Sequence, residues 1–295
     1  MNYILVQTHS RFPSSRRCYD AHQSPQGVVG GSGGKMKLAG QVAVITGGGG
    51  AMGGAQVRRF AAEGAAVCVA DLYPEKARIV AEEIVAAGGQ ALAVGLDVQR
   101  ADDWAAAIAA TEAACGPVTI LCNNAGANVR VGFDEQTEEM WHLIVGTILT
   151  GSFLGIKAAI PSMRRAGGGT IVNLGSLASI RPGAGSPAYG AAKMGHVGLT
   201  RSAAATYAPE GIRCLLVSPG HVDTPFIHAD TPYSPNTAAT SLDNPENYAR
   251  RVRGTPLGRL VTAEDVARAI LFAVSDDGAM ITGSMLTIDG GAALV

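Results

Sequence analysis

The sequence predicts an α/β fold in which a mostly parallel, seven-stranded sheet is covered by helices on both faces. From Lys37 onward, short runs rich in β-branched residues alternate with longer Ala-rich stretches of helical period. This alternation is the pattern of repeated βαβ units. Neither a linker-like composition nor an internal repeat interrupts it, so we expect one doubly wound domain.

Seven segments are predicted to be strands, and the helices lie between them. The strands are residues 42–46, 66–71, 91–97, 118–123, 169–174, 212–217 and 285–289. The helical stretches include residues 74–87, 101–114 and 137–165. Residues 221–254 contain four prolines and many polar residues. A long irregular segment in a compact domain is usually functional, so we predict a substrate lid there.

Residues 1–35 differ in composition from the rest of the chain. They combine three arginines with Ser, Pro and a Gly-rich stretch, and they show no apolar period. Such a segment buries too little apolar surface to offset the entropy lost on ordering. We therefore expect a disordered N-terminal extension, with the folded domain spanning residues 36–295.

Charge and cysteine content restrict the partners. The chain has 23 Lys+Arg against 24 Asp+Glu, a net charge of -1, and no long run of one sign. Attraction to phosphate backbones or anionic lipid is therefore weak, so we expect a small-molecule ligand and neither nucleic acid nor membrane. Five cysteines without a C-x-x-C pair indicate no disulfide framework and a reducing, cytoplasmic compartment. No metal site is predicted, because the spacing of His221, Asp223 and His228 matches no chelate.

A glycine-rich turn follows the first predicted strand directly. Residues 47–54 contain six glycines, and an Ala-rich helix comes next. Gly48, Gly50 and Gly53 match the pattern G-x-G-x-x-G. Glycine lets the backbone approach a pyrophosphate, while the helix N-terminus supplies free N–H groups and a positive dipole end. The turn therefore predicts a Rossmann-type dinucleotide site.

Asp71 bears on the choice of dinucleotide. It closes the second strand 18 residues after Gly53, close to the spacing at which a carboxylate accepts from the adenosine ribose hydroxyls. A carboxylate there would repel a 2′-phosphate, and neither Gly50 nor Leu72 supplies a compensating cation. We expect NAD rather than NADP. The alternative role for Asp71 is capping of the helix that follows.

Tyr189 and Lys193 lie four residues apart, which places a phenol and an ammonium one turn apart on the same helix face. A tyrosine with an ordinary pKa of about 10 is a poor base at neutral pH, but a neighbouring cation favours its phenolate. Ser176 stands thirteen residues earlier, just past the fifth strand, at the sheet edge where open parallel sheets bind ligands.

With these residues the sequence resembles the single-domain branch of the short-chain dehydrogenase/reductase family, over nearly the whole of residues 37–295. The resemblance is carried by Thr46-Gly47 with Gly53, Asp97-Val98, Asn123-Asn124-Ala125-Gly126, Ser176, Tyr189-x-x-x-Lys193, Pro219-Gly220-x-Val222-x-Thr224 and the closing Asp289-Gly290-Gly291. The order and spacing of these motifs together are highly specific.

The resemblance implies an NAD(H)-dependent oxidoreductase that interconverts a secondary alcohol and a ketone by hydride transfer. Tyr189 would exchange a proton with the substrate oxygen, Lys193 would lower the tyrosine pKa and hold the nicotinamide ribose, and Ser176 would hydrogen-bond the reacting oxygen. The residues implied to contact NAD are Gly47, Gly50, Met52, Gly53, Asp71, Asp97, Val98, Asn124, Tyr189, Lys193, Val222 and Thr224. Among them, Asp97 and Val98 would meet the adenine, Asn124 would line the adenosine half, and Val222 and Thr224 would fix the carboxamide and the pyrophosphate.

Three positions depart from the family pattern: Ala51 replaces the second turn glycine, Leu215 replaces an asparagine before the Pro-Gly motif, and Ile148 has the largest chemical consequence. Aligning Thr150-Gly151 with the family segment Asn-x-x-Gly puts Ile148 where the asparagine of the catalytic tetrad is expected. Isoleucine has no polar group that could join a proton relay. A water on a nearby backbone carbonyl, or the hydroxyl of Thr147 or Thr150, is the expected substitute.

Two alternative functions stay open. A 3-oxoacyl thioester reductase would use the same triad and would need a basic entrance, for which the candidates are Arg130, Arg164, Arg165 and Arg181. A non-catalytic nucleotide-binding protein would explain Ile148, although the triad in register argues against it. Arg130 and Arg181 flank the expected pocket and could also recognise a carboxylate or a phosphate, but exposed loop arginines usually have no specific role. The resemblance further implies a homo-oligomer, a tetramer or a dimer, in which the largely buried helix containing Trp141 packs against its counterpart.

Overall fold

Seven parallel strands form the sheet of this protein in the computed structural model, which describes residues 36–181 and 185–295. The strands are β1 (Val42–Thr46), β2 (Ala66–Asp71), β3 (Ala91–Gly95), β4 (Ile120–Asn123), β5 (Gly169–Leu174), β6 (Ile212–Pro219) and β7 (Met285–Ile288). The helices are α1 (Ala51–Ala62), α2 (Pro74–Ala86), α3 (Ala101–Cys115), α4 (Glu138–Val145), α5 (Gly151–Ala166), α6 (Pro187–Tyr207), α7 (Pro225–His228), α8 (Pro245–Arg253) and α9 (Ala263–Val274). The predicted seven-stranded, doubly wound sheet is confirmed. The expectation for residues 1–35 lies outside the described residues.

Successive residues of the central strands serve two separate cores. In β1, Ala43 and Ile45 belong to the core beneath α1, α2 and α9, whereas Val42 and Val44 belong to the core beneath α3, α5 and α6. Side chains of a strand alternate between faces, and both faces of this sheet are covered. This explains why β1 and β2 consist almost entirely of apolar residues rather than alternating with polar ones.

The strand order β3-β2-β1-β4-β5-β6-β7 determines where a ligand-binding crevice can open at the edge of the sheet. The chain moves outward from β1 to β3, and then crosses back so that β4 pairs with the other side of β1. The connections that follow β1 and β4 therefore leave the sheet in opposite directions. A crevice opens at such a switch point, outside the carboxyl ends of the strands.

The predicted helix 137–165 is interrupted. It consists of α4 and α5 joined by one π-helical turn, Gly146–Thr150. By length and hydropathy alone, the run Glu138–Ala166 could cross a membrane, but here it packs against α3, β4 and α6. The expectation that Trp141 is buried is wrong for the single chain, because that side chain is 40% exposed.

The predicted irregular segment 221–254 is partly helical, since it contains α7 and α8. Pro225 and Pro245 occupy the first turns of these helices, and the Asn244 side chain accepts from the Glu246 backbone N–H at 3.0 Å. Proline is compatible with the first helical position because the N–H it lacks has no partner there. Of the four prolines that we interpreted as loop signals, Pro225 and Pro245 begin helices.

A buried histidine links the π-helical turn to the end of β5. His196 is 1% exposed. Its Nδ1 lies 3.2 Å from the Leu174 carbonyl oxygen, and its Nε2 lies 3.0 Å from both the Ile148 carbonyl oxygen and the Ser152 hydroxyl. Burial, together with the charge of Lys193, lowers the pKa of His196 to about 3. The ring is therefore neutral in the folded protein at physiological pH.

We expect the free energy of unfolding to decrease as the pH falls from about 6.5, the pKa of histidine in the unfolded chain, towards 3. Between these two pH values, His196 binds a proton in the unfolded chain but not in the folded protein. One pKa unit corresponds to about 1.4 kcal/mol, so this residue accounts for a loss of about 3 kcal/mol between pH 6.5 and 4. Urea unfolding of wild type and His196→Asn at several pH values measures the loss.

The exposed His142 provides the matched control. The stability curve of His142→Asn should run parallel to that of wild type, whereas the curve of His196→Asn should be flatter below pH 6.5. Parallel curves for all three proteins, or a wild-type His196 ring that titrates near pH 6.5 in NMR spectra, would contradict the prediction.

Candidate active site

A cleft of about 550 Å³ follows the carboxyl edge of the sheet. It is lined by every residue that the sequence analysis proposed for catalysis or cofactor contact, namely Gly47, Gly50, Met52, Gly53, Asp71, Asp97, Val98, Asn124, Ser176, Tyr189, Lys193, Val222 and Thr224. The ends of β1, β2, β4, β5 and β6 meet at this edge because the strands are parallel. The fold thus brings dispersed motifs into one cavity.

The glycine-rich turn can approach a diphosphate closely. Gly47 has a φ of +63°, a conformation that favours glycine. A Cβ at Gly53 would overlap the Gly47 carbonyl oxygen, so the helix can pack on the turn only with glycine there. Helix α1 begins after Gly50 without a side-chain cap, which leaves its first N–H groups free to bind an anion.

Asp71 stabilises this turn through hydrogen bonds and also lines the cleft. Its two carboxylate oxygens accept from the backbone N–H groups of Gly49 and Tyr73, both at 3.0 Å. Burial raises the pKa of Asp71, while these N–H groups and the charge of Lys76 oppose the rise. The sequence analysis found no cation beside Asp71 because Lys76 is brought near only by the first turn of α2.

Hydrogen bonds join the ends of β1 and β4 beside the turn. The Thr46 hydroxyl accepts from the backbone N–H groups of Asn124 and Ala125, both at 3.0 Å. The Asn124 amide donates to the Thr46 carbonyl at 2.9 Å and accepts from Gln56 at 2.9 Å. The sequence analysis missed Gln56, because a glutamine in a helix carries no signal of such a contact.

Ser176, Tyr189 and Lys193 come together at the ends of β5 and α6. The side chain of Ser186 caps α6 by accepting from the Tyr189 backbone N–H at 3.3 Å. The Lys193 ammonium lies 5.6 Å from the centre of the Tyr189 ring and donates to the Leu174 carbonyl. The Ser176 side chain lies close enough to the phenol to lower the pKa of Tyr189.

The electrostatics of the triad differ from the expectation for Lys193. Burial raises the pKa of Tyr189, and the Ser176 side chain and the charge of Arg130 lower it in part. Burial also lowers the pKa of Lys193 to about 7, so the lysine is only partly charged at neutral pH. The charge that lowers the pKa of Tyr189 in this structure is that of Arg130, for which the sequence suggested only recognition of an anion.

Ile148 cannot take the place of the tetrad asparagine. Its side chain is fully buried with Ile144, Ala188 and Ala192, and it does not line the cleft. The Ile148 carbonyl oxygen accepts from the Ser152 hydroxyl at 2.7 Å. Of the two hydroxyl substitutes considered, that of Thr147 belongs to the cleft lining and that of Thr150 does not.

The segment 221–254 adds side chains that sequence reasoning missed. Arg251 of α8 lines the cleft, and its guanidinium donates to His221 Nε2 at 3.0 Å. Burial, with the charges of Arg251 and Arg181, lowers the pKa of His221 to about 4. His228 contacts two carboxylates, Asp223 at 2.7 Å and Asp243 at 2.8 Å. In residues 36–181 and 185–295, no group of three or more His, Cys, Asp or Glu side chains is arranged to hold a metal ion.

Known proteins share this sequence and fold over most of the chain. The family model described as enoyl-(acyl carrier protein) reductase matches residues 49–293. The chain belongs to the short-chain dehydrogenase/reductase family. It is 41% identical over 255 residues to the 2,5-dichloro-2,5-cyclohexadiene-1,4-diol dehydrogenase of Sphingobium indicum, a match that covers 86% of this chain and 97% of the relative. The cyclohexanol dehydrogenase of Acinetobacter sp. is 34% identical over 255 residues, with 86% and 95% covered.

Solved structures agree with this assignment. A short-chain type dehydrogenase/reductase from Mycobacterium marinum aligns with a TM-score of 0.78 and 29% identity, covering 88% of this chain and 97% of that chain. A short-chain dehydrogenase/reductase from Burkholderia xenovorans aligns with a TM-score of 0.78 and 32% identity, covering 88% and 98%. The chain is accordingly an oxidoreductase of the alcohol dehydrogenase type, in a family of dehydrogenases that typically use a nicotinamide cofactor.

Replacing Arg130 by glutamine should move the acid limb of the pH–rate profile to higher pH. Loss of the positive charge raises the pKa of Tyr189, and oxidation of an alcohol requires the deprotonated phenol. The measurement is kcat/KM from pH 6 to 10.5 for a secondary alcohol that the protein oxidises. Arg130→Lys retains the charge and should keep the wild-type limb, whereas coincident limbs for wild type and Arg130→Gln would contradict the prediction.

Proposed function

We propose that this short-chain dehydrogenase is NAD(H)-dependent and interconverts a cyclic secondary alcohol and the corresponding ketone, with Ser176, Tyr189 and Lys193 as its catalytic residues. The observation that carries the proposal is the convergence of a phenol, a hydroxyl and an amine in the cleft that also contains the glycine-rich turn. A hydride acceptor and a proton acceptor are both needed to oxidise an alcohol, and this cleft offers a site for each.

The residues of the chain perform the proton chemistry. In the oxidative direction the Tyr189 phenolate oxygen takes the proton of the substrate hydroxyl, and in the reductive direction the phenol returns it. The Ser176 hydroxyl holds the same substrate oxygen beside the phenol. Lys193, fixed by its bond to the Leu174 carbonyl, lies beside the ring. The bound nicotinamide supplies the hydride acceptor or donor.

The described residues fit such a dinucleotide. The free N–H groups at the start of α1 and the glycines that precede them form a cradle for a pyrophosphate. Asp97, Val98 and Asn124 lie at the ends of β3 and β4 for the adenosine half, and Val222 and Thr224 follow β6 for the nicotinamide half. The Thr224 hydroxyl donates to the Val222 carbonyl at 3.3 Å, which orders this second contact region.

Two features support a cyclic alcohol as substrate. The relatives include enzymes named for cyclohexanol and for a chlorinated cyclohexadiene diol, and a trans-4-hydroxycyclohexanecarboxylate dehydrogenase of Sinomonas cyclohexanicum that is 36% identical over 261 residues. Near the triad, the lining contains apolar side chains that could contact a hydrocarbon ring: Leu177, Phe226, Ile227 and Leu242. Three of these belong to the segment 221–254, for which we propose the role of substrate lid.

The structure offers little for a carrier-linked thioester. Arg164 pairs with Glu210 at 2.5 Å, and Arg165 pairs with Glu112. Both arginines lie in the last turn of α5, just before β5 begins, at the edge of the sheet opposite the cleft. The Arg181 guanidinium donates to the Val295 carbonyl. Of the four candidates for a basic entrance, Arg130 alone lines the cleft, which favours the alcohol dehydrogenase.

We further propose a cytoplasmic homo-oligomer, a tetramer or a dimer. Large apolar side chains are exposed on α4 and α5, namely Trp141, Leu143 and Phe153. A second subunit that covered these residues would remove apolar surface from water. The cysteines Cys68, Cys122 and Cys214 are free and buried, as expected for a reducing compartment.

The wild-type protein should produce NADH from NAD and cyclic secondary alcohols, and Tyr189→Phe should reduce kcat by at least about a hundredfold. Removing the proton acceptor removes general-base catalysis, which typically contributes 10²–10⁴-fold. NADH production is measured by absorbance, and NADH binding by fluorescence. Retained NADH binding in Tyr189→Phe shows that the variant is folded. If wild type binds NAD but oxidises no alcohol in a broad panel, the non-catalytic alternative is favoured.

Asp71→Asn should decrease the preference for NAD over NADP by about tenfold, because it removes the negative charge that a 2′-phosphate would meet and preserves the shape of the side chain. The ratio of kcat/KM for the two cofactors measures the effect. Glu75→Gln removes an exposed carboxylate of α2 outside the cleft lining and should leave the ratio unchanged. A wild-type protein that prefers NADP would refute the role given to Asp71.

A further inference from the structure

Acidic and basic side chains are unevenly distributed along the cleft. Among the described residues that line it, the only carboxylates are Asp71 and Asp97, both at the ends of β2 and β3. Arg130 follows β4, and Arg251 lies in α8. Apart from these strand ends, the described lining of the cleft contains two guanidinium groups and no carboxylate.

Arg130 is held in place by neutral groups. Its guanidinium donates to the Ser234 hydroxyl at 2.9 Å and to the Phe226 carbonyl at 3.1 Å, and its carbon lies 5.4 Å from the centre of the Phe226 ring. Ser234 itself is fully buried and donates to the same carbonyl at 2.6 Å. An arginine has five N–H donors, so most of them remain available. The charge is fixed in position and is not compensated.

Arg251 is also bound by a neutral partner. His221 is uncharged at neutral pH because burial lowers its pKa, so His221 Nε2 accepts from the guanidinium. The Arg251 Nε is buried and has no hydrogen-bond partner among the described residues. In residues 36–181 and 185–295, neither Arg251 nor Arg130 forms a salt bridge, whereas eight other arginines do: Arg58, Arg59, Arg78, Arg100, Arg164, Arg165, Arg259 and Arg268.

Arg130 lies close enough to Arg251 and to Tyr189 for their charges to affect its pKa. Burial lowers the pKa of Arg130, and the charge of Arg251 lowers it further, whereas Tyr189 opposes this effect. Partly buried like charges without a counterion are unfavourable in a folded protein. An anion bound between them would relieve the repulsion and would use the unsatisfied donors.

We propose that Arg130 and Arg251 bind the carboxylate of the substrate, so that the enzyme acts on hydroxy acids whose secondary hydroxyl reaches Tyr189 and Ser176. The proposal rests on the proposed function and specifies further that the substrate carries a negative charge. Phe226, Ile227 and Leu242 would contact the hydrocarbon between the two polar groups. A guanidinium matches a planar carboxylate with two parallel N–H groups, which also orients the molecule for hydride transfer.

The test compares hydroxy acids with their uncharged amides, which have almost the same shape. The probes are 4-hydroxycyclohexanecarboxylate, 3-hydroxybutanoate and mandelate, each with its primary amide, assayed with NAD in Tris buffer. For at least one pair, wild type should prefer the acid in kcat/KM by about tenfold to a hundredfold, the usual effect of a charge-assisted hydrogen bond. If every amide reacts as well as its acid, the proposal is overturned while the proposed function stands.

Variants separate recognition from a structural role. Arg130→Gln and Arg251→Gln should each bring the acid-to-amide ratio of the preferred pair close to one, mainly by raising KM for the acid. Any shift in the pKa of Tyr189 affects both members of a pair and cancels in the ratio. Arg250→Gln is the matched control, because Arg250 is an exposed neighbour in α8 that bonds Asn247 and does not line the cleft. Equal loss for acid and amide in Arg130→Gln and Arg251→Gln would mean that the arginines only hold the lid, which overturns the proposal.

Failure of the proposed function gives a different result. If no alcohol yields NADH, calorimetry on the wild-type complex with NADH compares binding of benzoate and benzamide. Benzoate binding at least about tenfold tighter, and weakened in Arg251→Gln but not in Arg250→Gln, would support the carboxylate site independently of turnover. Equal binding of the two probes would overturn it.

Discussion

The junction between the ends of β1 and β4 is the contact on which the rest of the site depends. The Thr46 hydroxyl accepts two backbone N–H groups at the end of β4, and the Asn124 amide returns a hydrogen bond to the Thr46 carbonyl. These bonds fix the distance between the glycine-rich turn and the strands that lead to the triad. Because the connections on either side leave the sheet in opposite directions, no side chain of the sheet itself fills the gap, and a cleft remains.

Burial controls the charges in that cleft. The low-dielectric surroundings favour the neutral forms of Tyr189, Lys193 and His221. Burial therefore raises the pKa of Tyr189, which is charged when deprotonated, and lowers the pKa values of Lys193 and His221, which are charged when protonated. Arginine is the exception, because its intrinsic pKa is so high that it stays charged even when burial lowers it. Fixed positive charge in the substrate half of the cleft therefore comes from Arg130 and Arg251. Of these two residues, Arg130 is the one whose charge lowers the pKa of the Tyr189 phenol.

The π-helical turn shows how the fold accommodates Ile148. An apolar residue at this position can be buried beneath α6, and its carbonyl oxygen is then satisfied by Ser152. His196 lies against the same carbonyl and against the Leu174 carbonyl, which also accepts from Lys193. The polar contacts that hold Lys193 in place are thus made by backbone carbonyls, and the hydroxyl of Thr147 is the polar side chain of this turn that remains in the cleft.

The sequence by itself determined the sheet, its seven strands and the residues of the glycine-rich turn and triad, because these depend on local periodicity and on short, ordered motifs. Some strand ends differ from the prediction by a few residues. The fourth strand was predicted to begin at residue 118, whereas β4 begins at Ile120 and the Val118 N–H donates to the Ser162 hydroxyl. Only the tertiary structure decided that Pro225 and Pro245 start helices, that Trp141 is exposed, and that Arg130 and Arg251 line the same cleft as Tyr189. Those outcomes depend on contacts between residues far apart in the chain. A single sequence carries no local signal that an arginine will lack a counterion in the folded protein.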